Sequence, residues 1–556
     1  LTRQGYVCIL LYMYIREVVS ARKKGPDVVY VQLVEGQRDP DTGKVKTTIL
    51  HTFGRKDRLD LSQIKRLVDQ LIRYLDEEER PQLLAGLEIT RTWELGGTHL
   101  LDGIWRELGL DRFFGEALRG RRFEQPAERA LFALVAQRAL APASKLAGSR
   151  WAGGRAWIPG LEEGGDELSV QHLYRAMDFL HQAMPELREH LYFQVTDLLN
   201  ADVSVLFYDT TTVSFYLEEP DPEGGLRQRG YSKKKRPDLP QLVMALAINR
   251  DGLPVRHWVF PGNRPDVSTV EEVVRDLVGL RPRRFLFVGD RGLVSQGNVD
   301  WLESRRLSYL LGCRLRSDEA VAKKVLSIRG RYREVRPGLG VKEITVREGE
   351  RRVRYLLCRD EARAEHDARV RREILATLEE LFRSRRGEGH RRKDCQLLSQ
   401  PGYARYLKEG KGGRLVIDRG KVRAEERLDG KYVLVTNELE LPAEELVLGY
   451  RQLYLAERAF RSMKSVLEIE PVYHRTEERI TAHVHLCVLA YLLMRVAENR
   501  TGESWELLRE QLGGVSLTQL ETQRARVLKT KRLTASEADI FKSCGVSPPP
   551  RIVAIR

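Results

Sequence analysis

Cysteine is scarce. Cys8, Cys313, Cys358, Cys395, Cys487 and Cys544 are scattered, with no CxxC pair and no histidine at zinc-ligand spacing, so neither a disulfide framework nor a zinc site is legible. They read as reduced thiols of a cytosolic protein, serving as small apolar side chains. The front of the chain lacks a long apolar run: residues 7–15 fall far short of the ~20 that span a bilayer. No small-residue cleavage site follows, which argues against a signal peptide, and Met13 is the expected natural start. Aromatic residues make up only 8%, few for a sugar groove lined with aromatic platforms. No internal repeat or low-complexity segment stands out. Acidic residues are outnumbered, 79 against 94 Lys and Arg, leaving a net charge of +15 spread along the chain. That imbalance fits a polyanionic partner such as nucleic acid; ribosomal, membrane-surface and heparin-binding proteins share it.

What is present is enough to fold. With 556 residues, 42% hydrophobic and 31% charged, the chain supports three or four globular domains at roughly 100–200 residues each. Residues 13–60 read as a β-hairpin region, with strand runs at 28–34 and 46–50 around the turn Asp39-Pro-Asp-Thr-Gly43. Residues 61–200 are α-rich, broken at Gly96-Gly97, Gly153-Gly154 and Gly164-Gly165, and are expected to bind DNA. Within them Ser169 caps a helix in which Val170, Leu173, Met177 and Leu180 recur at helical spacing, leaving Gln171, His172 and Arg175 outward. An ordinary amphipathic helix satisfies that pattern, and a DNA-reading helix is the other reading.

From 201 to 316 apolar strands at 203–209, 241–248, 284–290 and 308–312 alternate with helices at 268–278 and 295–305, the mark of an α/β sheet. Residues 317–429 read as a β-rich insertion, with basic strand-like pieces at 341–346 and 352–358 and a charged helix at 362–386. The α/β pattern resumes over 430–500, with a strand at 431–437, Pro442 at a first helical position and one long helix to about 466. Residues 501–556 form a basic C-terminal region, running through Pro548-Pro549-Pro550 and expected to be partly mobile. The fold class is therefore α/β, a mixed sheet flanked by helices, interrupted by the insertion and preceded by the hairpin and the α-rich region.

Two apolar strands are expected to close on an aspartate, Asp209 and Asp290, at the strand ends where open α/β sheets gather ligands. Either could simply cap a turn. Two such carboxylates side by side repel and are costly to desolvate, and a bound cation removes both problems. Glu457 joins them by helical arithmetic. Positions seven apart differ by only about 20° around a helix, so Tyr450, Glu457 and Lys464 share a stripe with Leu446, Leu453 and Phe460 beside it. A carboxylate on that core-facing stripe needs compensation, from a metal or from Lys464 or Arg461 in a structural ion pair. Three carboxylates suit two Mg²⁺ or Mn²⁺ ions, about 3.5–4 Å apart, for in-line phosphodiester chemistry.

The residues also resemble a known family, the DDE transposases of bacterial insertion sequences, in the branch with a β-rich insertion and a Y-x2-R-x3-E-x6-K signature. Tyr450, Glu457 and Lys464 match that signature, whereas Leu453 replaces its arginine. Tyr208-Asp-Thr-Thr-Thr212, the segment from Arg229 to Gln241, Gly262-Asn263 with Asp266, Gly289-Asp-Arg-Gly292 and Arg479-Ile-Thr-Ala-His483 match in order. The resemblance implies a ribonuclease H-like core and metal-dependent nicking of element ends followed by strand transfer. It implies phosphate contacts at Tyr450, Lys464 and Arg291, with Arg451 standing in for the missing arginine and Arg461 nearby. Lys233, Lys234, Lys235 and Arg236 form a basic loop that either grips backbone phosphate or is simply solvated. The expected partners are double-stranded DNA, as terminal inverted repeats and target, and a second copy of the chain when assembled on DNA. A cytoplasmic, nucleoid-associated location without a membrane is implied. The alternatives are a transposase-derived DNA-binding protein with an unused site and a glycoside hydrolase with a carboxylate pair.

Overall fold

The computed structural model describes residues 11–20, 28–38, 45–60, 88–120, 127–161, 168–198, 205–280, 285–313, 315, 325–348, 351–383, 396–410, 414–521 and 526–555. It divides into two units, Leu1–Ile89 with Leu520–Ala525, and Thr90–Gln519 with Arg526–Arg556. The first unit contains an antiparallel sheet of β1 (Leu11–Ser20), β2 (Val28–Arg38) and β3 (Val45–Arg55). The expected hairpin is thus β2 and β3, and part of the apolar front segment adds a third strand. The turn expected at 39–43, the Gly164-Gly165 break and residues 61–87 lie outside the described residues.

In the second unit a nine-stranded mixed sheet is built from β5 (Val205–Ser214), β6 (Gln241–Ile248), β7 (Pro254–Pro261), β8 (Leu286–Gly289), β9 (Ser308–Gly312), β10 (Arg333–Arg336), β11 (Leu339–Glu348), β12 (Arg351–Asp360) and β15 (Lys431–Thr436). Its order is β10-β11-β12-β15-β9-β8-β5-β6-β7. Strands β5, β8 and β9 run parallel, and the remaining pairs are antiparallel. All eight residues of β6 are buried, as expected of a strand covered on both faces.

Successive side chains of β5 go to opposite cores. Val205, Phe207 and Val213 join one apolar cluster, and Leu206 and Tyr208 join the other. The second face is covered by α6 (Val270–Gly279) and α7 (Gln296–Ser304) through Val270, Val273, Val274, Leu277 and Leu302. The first face carries the α-rich layer: α1 (Gly96–Glu107), α2 (Leu110–Ala117), α3 (Ala127–Leu140), α4 (Lys145–Trp151), α5 (Val170–Phe193) and α12 (Glu477–Thr501). α5 starts as expected, with Ser169 Oγ accepting from the His172 amide and the His172 ring accepting from the Ser169 amide. Leu173, Met177 and Leu180 are buried. α12 is long and apolar enough to cross a membrane, yet 89% of its most apolar window is buried inside the protein, where it serves as the central core helix.

Two expectations change. The basic strands at 341–346 and 352–358 fall within β11 and β12, but they extend the central sheet through β15 instead of forming a separate β-rich body. The reason is apolarity on both faces: Val353, Tyr355 and Leu357 enter one core while Leu356 and Cys358 enter the other. Among the described residues of 317–429, the small hairpin β13 (Leu407–Glu409) and β14 (Leu415–Ile417), with α8 (Glu361–Arg383) and α9 (Arg419–Glu426), has its own cluster, around Leu378, Tyr406 and Val422. The C-terminal region is also ordered where described. α13 (Trp505–Gly513) and α14 (Ala535–Ser543) pack through Trp505, Leu508 and Phe541, and β16 (Ser516–Glu521), β17 (Arg526–Thr530) and β18 (Ile552–Ile555) join β4 (Glu88–Glu94) in a four-stranded sheet.

Candidate active site

The parallel pairing of β5 with β8 ends at Tyr208 opposite Gly289, so the next residues, Asp209 and Asp290, emerge side by side. Asp290 follows the end of β8 as expected. Asp209 does not end its strand: β5 continues through Thr210, Thr211 and Thr212 to Ser214, paired only with β6. Threonine is β-branched and suits an extended strand, which explains the continuation. The consequence is a gap beside Asp209 where the neighbouring strand has stopped. A cavity of about 1730 Å³ opens there, and its wall includes Asp209, Asp290, Glu457, Lys233, Asp266, Tyr450, Arg291 and Arg451.

Burial raises the Asp209 carboxyl to about 6, with Asp290 and Asp266 adding repulsion, while Lys233 and the Thr210 amide oppose the rise. The Thr210 amide donates to Asp209 Oδ1 at 2.7 Å. A carboxyl with a folded pKa above its unfolded value of about 3.9 binds its proton more tightly in the folded state. Its ionisation therefore lowers stability as pH rises from about 4 through about 6. In metal-free protein, the melting temperature of the wild type should fall relative to that of Asp209→Asn across this window. A pH-independent difference would contradict the burial of a charged Asp209.

Glu457 corrects the helical arithmetic. The long helix is two, α10 (Ala443–Arg451) and α11 (Tyr454–Ser465). Between them the amides of Gln452, Leu453, Leu455 and Ala456 each donate to the carbonyl three residues earlier. Tightening from 3.6 to 3.0 residues per turn adds about 20° per residue, roughly 80° over four, which takes Glu457 off the apolar stripe. Leu455, Ala456, Ala459, Phe460 and Met463 are buried instead, and Glu457 is exposed on the cavity wall. Leu453 is buried, 8% exposed, so in place of the signature arginine there is a core contact.

Tyr450 donates to Asp290 Oδ1 at 3.3 Å, and burial beside that carboxylate raises its phenol. Gly312, at the end of β9, makes the approach possible, because a β-carbon there would overlap the Tyr450 hydroxyl. Gly312→Ala is expected to cost about 1–3 kcal/mol by overpacking. Urea unfolding checks it, and the cost should shrink in a Tyr450→Phe background if the hydroxyl is the obstacle.

The basic residues separate into groups. Lys233 lies among the carboxylates, 3.9 Å from Asp209 and 3.4 Å from Asp266. Lys464 donates to Thr211 Oγ1 at 2.7 Å and is half-buried, which lowers its ammonium pKa. Lys234 pairs with Glu470, whose other oxygen accepts from the Ser214 amide at 2.9 Å. Arg236 pairs with Asp238 at 2.6 Å, and Arg451 with Asp360 at 2.6 Å on the cavity wall. Arg291 is an exposed wall residue, and Lys235 and Arg461 are exposed.

Sequence reading gave no role to Asp266, Arg336, Arg363 or Lys431, which also line the cavity. Asp266 directly follows Pro265 at the start of a helical turn, where an aspartate looks like a routine cap. Among the described residues, no three His, Cys, Asp or Glu side chains are gathered closely enough to hold an ion. Asp209 and Asp290 offer oxygen donors only, and a cation between them would relieve the desolvation and repulsion that raise Asp209. That donor chemistry fits a hard divalent ion.

A mixed α/β sheet presenting paired aspartates to a basic-walled cavity defines an α/β protein with a carboxylate-centred site. Residues 201–493, more than half of the chain, match the family model described as transposase DDE domain, and residues 15–82 match that of the IS1634 family transposase, N-terminal domain. The chain belongs to the DDE transposase family and is an insertion-sequence transposase, an enzyme of DNA transposition whose family uses divalent metal. No curated protein matches. Among solved structures it is similar to a piggyBac transposase synaptic complex with hairpin DNA, with 11% identity, a TM-score of 0.32, and coverage of 74% of this chain and 78% of that one.

Proposed function

We propose that Asp209, Asp290 and Glu457 are the catalytic carboxylates of this transposase and that they hold two Mg²⁺ ions, with Mn²⁺ as a substitute, on a ribonuclease H-like core. The observation that carries the reading is the register of β5 and β8, which sets Asp209 beside Asp290 at the mouth of a cavity whose wall also takes Glu457. Divalent ions held by these carboxylates would supply the charge that activates a water or 3′-hydroxyl and stabilises the leaving oxygen. The protein's own residues position the DNA. Tyr450 keeps Asp290 in place through its hydroxyl, Arg291 lies on the same wall to meet a phosphate, and Lys464 reaches β5 from α11.

The substrates are the element's terminal inverted repeats and target DNA, handled by a homodimer assembled on DNA in the cytoplasm at the nucleoid. The α-rich region and the exposed Gln171 and Arg175 face of α5 are part of the DNA-binding surface in this reading. Lys464→Ala should weaken complexes with end DNA and reduce the slope of log affinity against log salt by about one. Gel-shift titrations at several salt concentrations measure this, and an unaltered slope would remove Lys464 from the phosphate contacts. Cleavage of a terminal-repeat duplex with Mg²⁺, compared among Asp209→Asn, Asp290→Asn and Glu457→Gln, tests the triad itself.

A further inference from the structure

The loop carrying Lys233 has a rigid base and a cationic tip. At its base, Gln228 and Gln241 exchange backbone hydrogen bonds of 3.0 and 2.9 Å, and the Gln241 side chain donates to Tyr231 O and Gly262 O at 3.0 Å each. Gly262 must be glycine here, since a β-carbon would strike the Gln241 and Gln228 carbonyls. At its tip, Lys235 takes a left-handed conformation with φ of 58°, and its amide closes a turn onto Ser232 O at 3.0 Å.

The turn lays the exposed Lys233 side chain along β5. Its ammonium donates to the Thr210 carbonyl and, at 2.8 Å, to Thr210 Oγ1, and it lies 3.4 Å from Asp266 and 3.9 Å from Asp209. Four oxygen-bearing groups thus surround one nitrogen. A hard divalent cation would take the same kind of oxygen set, and one of the four groups is a carboxylate of the proposed metal site.

We propose that Lys233 is the resident counter-ion of the metal-free site, held there by Asp266, and that a divalent cation binding at Asp209 expels it. Lys233 and the turn at 232–235 are then released from β5, which leaves the ammonium free to meet a phosphate. Asp266 acts as the anchor of the metal-free state, a positioning residue and not a fourth catalytic carboxylate. The inference rests on Asp209 being a metal ligand.

Mn²⁺ binding to the full-length protein, followed by the electron paramagnetic resonance of the free ion, tests the proposal without reference to cleavage. Lys233→Met removes the competing charge, so Mn²⁺ affinity should rise on the order of tenfold or more, given the Coulomb interaction at about 4 Å. In the wild type, hydrogen exchange across residues 229–240 should speed up when Mn²⁺ is added. Unchanged or weaker Mn²⁺ binding in a natively folded Lys233→Met protein overturns the proposal, as does slowed or unchanged exchange in the wild type. Asp209→Asn separates the two levels. If it loses Mn²⁺ binding while Lys233→Met binds as the wild type does, only the counter-ion role fails. If Asp209→Asn binds Mn²⁺ normally, the metal-ligand assignment fails and the counter-ion role with it.

Discussion

Asp209→Asn and Asp290→Asn should each reduce Mg²⁺-dependent cleavage of element ends about a thousandfold or more, while end binding stays largely intact. Asparagine keeps the volume of each side chain, so the change isolates the lost negative charge. For Asp209 the geometry supplies an internal control. Burial and two neighbouring carboxylates already disfavour its ionised form. Removing that charge should leave the metal-free protein as stable as the wild type or more so at neutral pH. Inactivity together with a raised melting temperature would therefore mark a functional loss, because a misfolded variant melts lower. Substantial cleavage by either variant would dismantle the assignment of the paired aspartates.

The second large effect belongs to the scaffold. Arg129, on α3, donates to Asp102 of α1 and to Glu128, and also to the Pro159 carbonyl at 3.0 Å. The three charged side chains are 7%, 8% and 15% exposed. Removing one member of such a buried group leaves the others with charge and no partner, which costs about 3–5 kcal/mol when compensation is lacking. Arg106 still reaches Asp102 at 2.8 Å and Trp105 Nε1 reaches Glu128 at 2.7 Å, so the lower end of that range is expected for Arg129→Met. Chemical denaturation would measure it. A loss within about 0.5 kcal/mol, the size of an ordinary surface substitution, would show that these two residual partners suffice.

The core strands were readable because both faces of the sheet are covered, which turns β6, β8 and β9 into short continuous apolar runs. The Ser169 cap was readable because capping is a local rule. The positions that spacing places wrongly depend on partners remote in the chain or on a local change of helical pitch. A charge interrupts the apolar run of β5 at Asp209, whereas the strand continues along β6 after β8 has ended. One uniform helix would turn Glu457 toward the core. No proline announces the tight turn at Gln452 and Leu453, and Gly449, whose carbonyl accepts its first bond, sits inside the first helix like any helical residue. The residues that converge on Asp209 lie far apart in sequence: Lys233 comes from the loop before β6 and Asp266 from the turn before α6. Spacing cannot bring such pieces together; the sheet does.

The two outermost strands of the large sheet carry a consequence of a different kind. Nine strands expose two lateral rows of backbone amides and carbonyls, each able to template pairing with another molecule. β10 forms one border and is only four residues long, with Arg333 and Arg336 at its ends and a bulge where it meets β11. Arg333 is tied to Glu444 at 3.1 Å. A short, irregular, charged border is a poor template for self-association. On that side the sheet offers other copies of the chain little to pair with.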